Sequence, residues 1–143
     1  MRHTILFLCP HNAAKSVMAA AYCQQLARQR RLDVQITSAG TEPDDTVSPS
    51  IVALLRAEGI DVAHHTPRQI TQEELGAAFR VISLGCDVRA FAPPGTLVEH
   101  WDEVPAPSQD LVRAWNIISA HVERLIEELT WSARQPEAPH TPA

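Results

Sequence analysis

The chain has 143 residues, carries 12 Lys+Arg against 17 Asp+Glu for a formal net charge of −5, and is 45% hydrophobic and 20% charged. That length and composition suit one globular domain, and they leave no basic stripe to neutralise a nucleic-acid backbone. No apolar run approaches the ~20 residues of a membrane span. The opening stretch is too short for a signal-peptide core and lacks a cleavage site, so no nucleic-acid or membrane partner is expected and the expected location is the cytoplasm.

The run Thr4-Ile5-Leu6-Phe7-Leu8 is continuously apolar and suits a strand buried on both faces. A short loop, Cys9 to Ala14, leads to a helix over about Lys15–Arg30, with Val17, Met18, Ala21, Tyr22 and Leu26 on its buried side. Asp33–Ala39 alternates as a second strand and stops at Gly40; Thr41 to Ser48 is a polar, acidic loop that reads as a solvated turn. Ser48-Pro49 supplies an N-cap and a first-turn proline for a helix that ends at Gly59. Thr71-Gln72-Glu73-Glu74 has the capping-box pattern of a short helix. Arg80–Leu84 is the third predicted strand and Thr96–Trp101 the fourth, separated by the turn Pro93-Pro94-Gly95. A last helix spans about Ser108–Thr130, with Leu111, Trp115, Ile118, Val122, Leu125 and Leu129 at helical spacing. The domain is expected over residues 1–131, and the proline-rich segment 132–143 is expected to be a disordered tail. Strands alternating with helices imply an α/β fold with a parallel sheet, covered on both faces, and ligands at the C-terminal strand ends.

Three cysteines, Cys9, Cys23 and Cys86, are too few and too irregularly spaced for a disulfide framework or a zinc site. Cys9 opens the segment Cys9-Pro10-His11-Asn12-Ala13-Ala14-Lys15-Ser16, between a strand end and a helix start. Main-chain N–H groups converge in such a loop, bind an anion and favour thiolate over thiol, which makes Cys9 a candidate nucleophile. Lys15, the single lysine among the basic residues, adds positive charge, and the Ser16 hydroxyl is placed to hydrogen-bond the sulfur. Pro10, His11, Asn12, Ala13 and Ala14 complete the expected oxyanion loop, with Asn12 holding it in a left-handed or otherwise strained conformation through side-chain hydrogen bonds. Cys23 lies roughly 12 Å further along the helix than Lys15, beyond the ~7 Å a disulfide spans, and reads as core. His64-His65 are adjacent, point apart in an extended chain and have no partner cluster, so no metal is expected. Trp101, Trp115 and Trp131 read as packing residues.

The Cys9–Ser16 segment resembles the phosphate-binding loop of the low-molecular-weight protein tyrosine phosphatase superfamily: a Cys, five residues, an Arg, then Ser or Thr. Ser38-Ala39-Gly40-Thr41-Glu42-Pro43, Gly59-Ile60-Asp61, His65-Thr66 and Glu99-His100-Trp101 resemble the thioredoxin-coupled arsenate reductase branch. The resemblance covers residues 4 to about 130 and implies a four-stranded parallel sheet flanked by helices. It also implies attack by Cys9 on arsenate, no tightly bound cofactor, and an external reductant, either a thioredoxin-like protein or a low-molecular-weight thiol. Arsenate, phosphate and sulfate are the implied oxyanion ligands.

Three departures from that pattern stand out. Lys15 replaces the loop Arg, giving a point charge where the family has a planar fork. Of the two further redox cysteines of the reductase branch, the first falls at Gly85 with Cys86 one residue later, and the second falls at Ala92. Cys86 is the candidate resolving thiol, since a residue just past the third strand can approach the Cys9 loop across strands ~4.8 Å apart. The general acid of the phosphatase branch is replaced by Ala106, leaving Asp102 or Glu103 as a substitute acid. Three readings follow: an arsenate reductase-like enzyme, a weak phosphomonoesterase working through a phosphocysteine, or a degenerate oxyanion-binding protein.

Overall fold

The computed structural model describes residues 3–89 and 92–134. Four strands, β1 (His3–Leu8), β2 (Val34–Ala39), β3 (Arg80–Ser83) and β4 (Val98–His100), form one sheet in the order β2-β1-β3-β4. Every pairing is parallel. Four helices, α1 (Lys15–Gln29), α2 (Pro49–Ala57), α3 (Gln72–Ala77) and α4 (Leu111–Arg134), flank it.

β1 reads as an unbroken apolar run because both of its faces are covered. Ile5 and Phe7 pack on one side with Met18 and Cys23 of α1, Ile51 and Leu55 of α2, and Ile118, Val122 and Ile126 of α4. Leu6 and Leu8 face the other way, toward Val81, Ile70 and Leu75. The central position of β1 therefore carries its C-terminal end, and Cys9 with it, to the middle of the sheet's upper edge.

Local signals account for most boundaries. Thr71 makes the full capping box with Glu74. α2 closes on Gly59 at φ +81°, with Gly59 N–H donating to the Arg56 carbonyl and Ile60 N–H to the Leu55 carbonyl. Ser48 stands at the N-cap of α2 but its side chain does not cap; its main-chain N–H donates to the Ala13 carbonyl instead.

Four expectations are corrected. β4 starts at Val98 rather than Thr96, because the Thr96 N–H and hydroxyl both donate to the Pro93 carbonyl and hold Thr96 in the turn. α4 starts at Leu111 rather than near Ser108: Asp110 is its cap, accepting from Arg113 N–H at 3.0 Å. α4 also runs on to Arg134, through the first three residues of the expected tail, since the first helix-breaking residue there is Pro136. Residues 135–143, the rest of that tail, lie outside the described residues. Trp131, expected to pack, is 68% exposed, whereas Trp101 packs on Phe7 and Trp115 on Tyr22. None of the helices formed by the described residues is long and apolar enough to cross a membrane.

Candidate active site

Past Leu8 the chain leaves the sheet as a loop and re-enters regular structure at Lys15. Asn12 turns that loop through a left-handed conformation, φ +47°, in which Asn is tolerated better than most residues. The Asn12 side chain is completely buried and fully bonded. Its Nδ2 donates to Ser16 Oγ at 2.8 Å and to Ser38 Oγ at 3.0 Å. Its Oδ1 accepts from the Arg68 N–H at 3.1 Å and sits 3.2 Å from His65 Nε2. One side chain thus ties the loop to α1, to β2 and to the 65–68 segment.

The loop carbonyls are held from outside. The N–H groups of Glu42, Asp44 and Ser48 donate to the carbonyls of Pro10, His11 and Ala13, at 2.7, 3.0 and 3.0 Å. His11 adds a side-chain link, its Nδ1 lying 3.0 Å from the Glu42 carbonyl and 3.6 Å from Asp44 Oδ1. With these carbonyls fixed, the N–H groups of His11 to Lys15 have no acceptor among the described residues, and a run of such groups can receive an anion. The acidic loop keeps its Glu42, Asp44 and Asp45 side chains exposed, as a solvated turn would, while its main-chain donors brace the Cys9 loop.

Gly40 makes the brace possible. A Cβ there would lie 2.6 Å from the Pro10 carbonyl oxygen, 2.8 Å from that of Cys9 and 3.0 Å from the Asn12 nitrogen. In the sequence Gly40 marks a strand end and belongs to the Ser38–Pro43 motif, with nothing to show this close approach.

Cys9 is buried, its Sγ 2.9 Å from Ser16 Oγ and accepting the Ser16 N–H at 3.3 Å. Lys15 is half-buried, and its Nζ extends to within 3.2 Å of where a Cβ on Gly85 would stand. Gly85 has φ +89°, so a side chain at that position would be strained as well as crowded by Lys15. A cysteine is accommodated one residue later. Cys86 is held by its own main chain: its N–H donates to Ser83 Oγ at 2.9 Å, and Ser83 Oγ donates to its carbonyl at 2.7 Å. Its Sγ lies 3.5 Å from Thr41 Oγ1.

That last contact has a topological meaning. Thr41 follows β2 and Cys86 follows β3, and these strands lie on opposite sides of β1. The two side chains therefore meet across the C-terminal end of β1, where Cys9 starts the loop. Cys23, in contrast, is wholly buried in the core, and burial pushes its thiol up to about 12.

The remaining sequence candidates fall elsewhere. Asp102 is exposed and its carboxylate pairs with His100 at 3.8 Å. Glu103 is bound by His121, which holds its carboxyl below the usual range. His65 belongs to the Asn12 network; burial and the nearby Arg68 push its imidazole down. His64 is exposed. Among the described residues no three His, Cys, Asp or Glu side chains come together as a metal would require. Sequence reasoning missed Arg68, which bonds Thr37 Oγ1 at 2.8 Å and pairs with Glu74, and it missed the contact of Thr41 with Cys86.

A buried thiol at the head of the loop that leaves a central strand of a parallel sheet, just before a helix start, defines a cysteine-centred α/β domain. The chain belongs to the low molecular weight phosphotyrosine protein phosphatase family, whose model matches residues 4–90. It is 27% identical over 123 residues to a putative arsenate reductase of Halobacterium salinarum, covering 85% of this chain and 87% of that one. YfkJ of Bacillus subtilis superposes with a TM-score of 0.83 at 20% identity, over 94% of this chain and 98% of that one. The thioredoxin-dependent arsenate reductase Cg_ArsC1' of Corynebacterium glutamicum gives a TM-score of 0.76 at 24% identity, over 92% of this chain and 63% of that one. At those identities the two structures establish the shared fold.

Proposed function

We propose that the protein is a thiol-dependent arsenate reductase in which Cys9 and Cys86 together convert arsenate to arsenite. The Cys9 thiolate attacks arsenic, forming an S–As bond, while one arsenate oxygen takes up protons and leaves as water. The adduct's oxygens lie on the N–H groups of residues 11–15, with Lys15 adding charge. Cys86 then attacks Cys9 Sγ. A Cys9–Cys86 disulfide forms, the S–As bond breaks, and its electron pair stays on arsenic, which leaves as arsenite. Two thiols are oxidised by two electrons and As(V) is reduced to As(III). An external thiol, on a thioredoxin-like protein or a small molecule, reduces the disulfide and restores the enzyme. No bound cofactor is required.

The observation that carries this reading is the second thiol at the mouth of the loop, Cys86 reaching Thr41 across the end of β1. Ester hydrolysis has no use for it. The likeness to arsenate reductases points the same way. The test is arsenite formed per protein molecule. Without a donor, wild type is expected to release about one equivalent and become a disulfide, and added dithiol restores turnover. Cys9→Ser is expected to form none, and Cys86→Ser to stop at the adduct unless a small thiol is supplied. Wild type that binds phosphate yet releases no arsenite with any thiol donor would be an oxyanion-binding protein.

The family match also favours a phosphatase reading, with phosphoryl transfer to Cys9 and hydrolysis of a phosphocysteine. Ala106 in the position that the resemblance gives to the acid counts against it, as does the binding of Glu103 by His121. Lys15→Arg separates the two. Arg supplies the bidentate fork but no proton donor, so aryl phosphate hydrolysis is expected to change by less than roughly tenfold. Side-by-side assays of hydrolysis and arsenate reduction decide it: a large gain in hydrolysis alone would promote the phosphatase reading.

A further inference from the structure

We infer that Thr41 is a positioning residue for the second half of the reaction, holding the Cys86 sulfur across the end of β1 and donating to its thiolate. This rests on the reading of Cys86 as the resolving thiol.

First, Cys86 cannot be placed by its neighbour: Gly85 at φ +89° supplies a turn, and Ser83 Oγ fixes only the main chain of Cys86, through its N–H and carbonyl. The sulfur is held by Thr41, whose Oγ1 lies 3.5 Å away and whose main-chain N–H also bears on it. Second, Thr41 is not free to move. It follows Gly40, whose N–H donates to the Arg68 carbonyl and whose carbonyl accepts the Ile70 N–H, both at 2.9 Å, and it precedes Glu42, whose N–H is committed to Pro10. The hydroxyl is thus mounted on the same brace that fixes the oxyanion loop, and positions Cys86 relative to Cys9.

Third, the electrostatics need such a donor. Burial pushes the Cys86 thiol up, the Thr41 hydroxyl and main-chain N–H pull it down, and negative charge on Cys9 and Asp87 pushes it up again. A charge on the Cys9 sulfur therefore opposes one on Cys86 while Cys9 is free. Once Cys9 is bonded to arsenic, its sulfur no longer carries the charge, which has moved to oxygens lying on the loop N–H groups. The Thr41 donors then act on Cys86 with less opposition. Attack by Cys86 is favoured after the adduct exists and disfavoured before it.

The test compares Thr41→Val, which keeps the shape and removes the hydroxyl, with Thr41→Ser, which keeps the hydroxyl. In the Cys9→Ser background, the rate of Cys86 alkylation is followed against pH by peptide mass spectrometry. Loss of one charge-assisted hydrogen bond is expected to raise the midpoint by about one pH unit in Thr41→Val, and Thr41→Ser is expected to return it. With Cys9 present, a single turnover with arsenate is expected to form the Cys9–Cys86 disulfide roughly tenfold more slowly in Thr41→Val and at near wild-type rate in Thr41→Ser. If Thr41→Val does not fold, Thr41→Ala against Thr41→Ser makes the same comparison. An unchanged midpoint, or a Ser variant as impaired as the Val variant, overturns the role of the hydroxyl while leaving the reductase reading intact. A wild-type protein that releases arsenite without the disulfide overturns both.

Discussion

Gly40→Ala is expected to weaken phosphate binding by about 100-fold or more and to slow arsenate reduction equally, although the added group is a single methyl. The three atoms nearest the new Cβ would all be main-chain, the Pro10 oxygen at 2.6 Å, the Cys9 oxygen at 2.8 Å and the Asn12 nitrogen at 3.0 Å. These closest contacts cannot be relieved by a side chain swinging aside. Gly40 cannot retreat either, since it is bonded through both its N–H and its carbonyl to residues 68 and 70. The loop must therefore move, and its carbonyls move away from the donors of residues 42–48. An anion nest works through N–H groups aimed at one point, so a displacement of a few tenths of an ångström is felt by all of them. The cost in fold stability is smaller, about 1–3 kcal/mol, as for other overpacked sites. Calorimetric titration with phosphate, beside a thermal melt, measures both. Binding at wild-type strength would mean the loop tolerates the shift and that the brace is not what shapes it.

What the sequence disclosed, and what it hid, follows the range of each interaction. β1 was legible because five consecutive residues, Thr4 to Leu8, carry the pattern of a strand covered on both faces. The left-handed Asn12, the Ser16 contact with Cys9 and the Thr71–Glu74 capping box were legible because each is written within a few residues. The brace was not. Glu42, Asp44 and Ser48 act through main-chain N–H groups, so their side chains advertise only an acidic turn. Gly40 looked like a strand terminator because the loop it must clear lies some thirty positions earlier in the chain. Asp102 and Glu103 stood close in sequence to the acid they were to replace, but the fold gives them His100 and His121 as partners. Lys15 was conspicuous from composition, yet its reach toward Gly85 depends on a strand end seventy residues away.

Asn12 should separate holding the loop from charging it. Asn12→Ala removes a completely buried side chain together with two donated bonds, to Ser16 and Ser38, and its contacts with the Arg68 N–H and His65. It also leaves an alanine at φ +47°, which costs about 1–2 kcal/mol. Each buried group left unbonded adds about 1–3 kcal/mol, so a loss of about 3–5 kcal/mol is expected, a large fraction of the stability of a small domain. Asn12→Asp behaves differently. A carboxylate has the same shape, tolerates the left-handed conformation, and still accepts from Arg68 N–H and His65, while the Ser16 and Ser38 hydroxyls can turn to donate to it. The fold is expected to survive with a loss of no more than about 2 kcal/mol. Its charge, however, lies beneath the loop that must hold an oxyanion and beside the hydroxyl that bonds Cys9. Phosphate affinity and Cys9 alkylation are both expected to fall at least roughly tenfold in this variant. Urea unfolding measures the first effect, and titration with alkylation kinetics the second. An Asp variant that binds phosphate as well as wild type, or an Ala variant as stable as wild type, would remove Asn12 from the centre of the site, leaving Gly40 and the 42–48 segment to shape the nest alone.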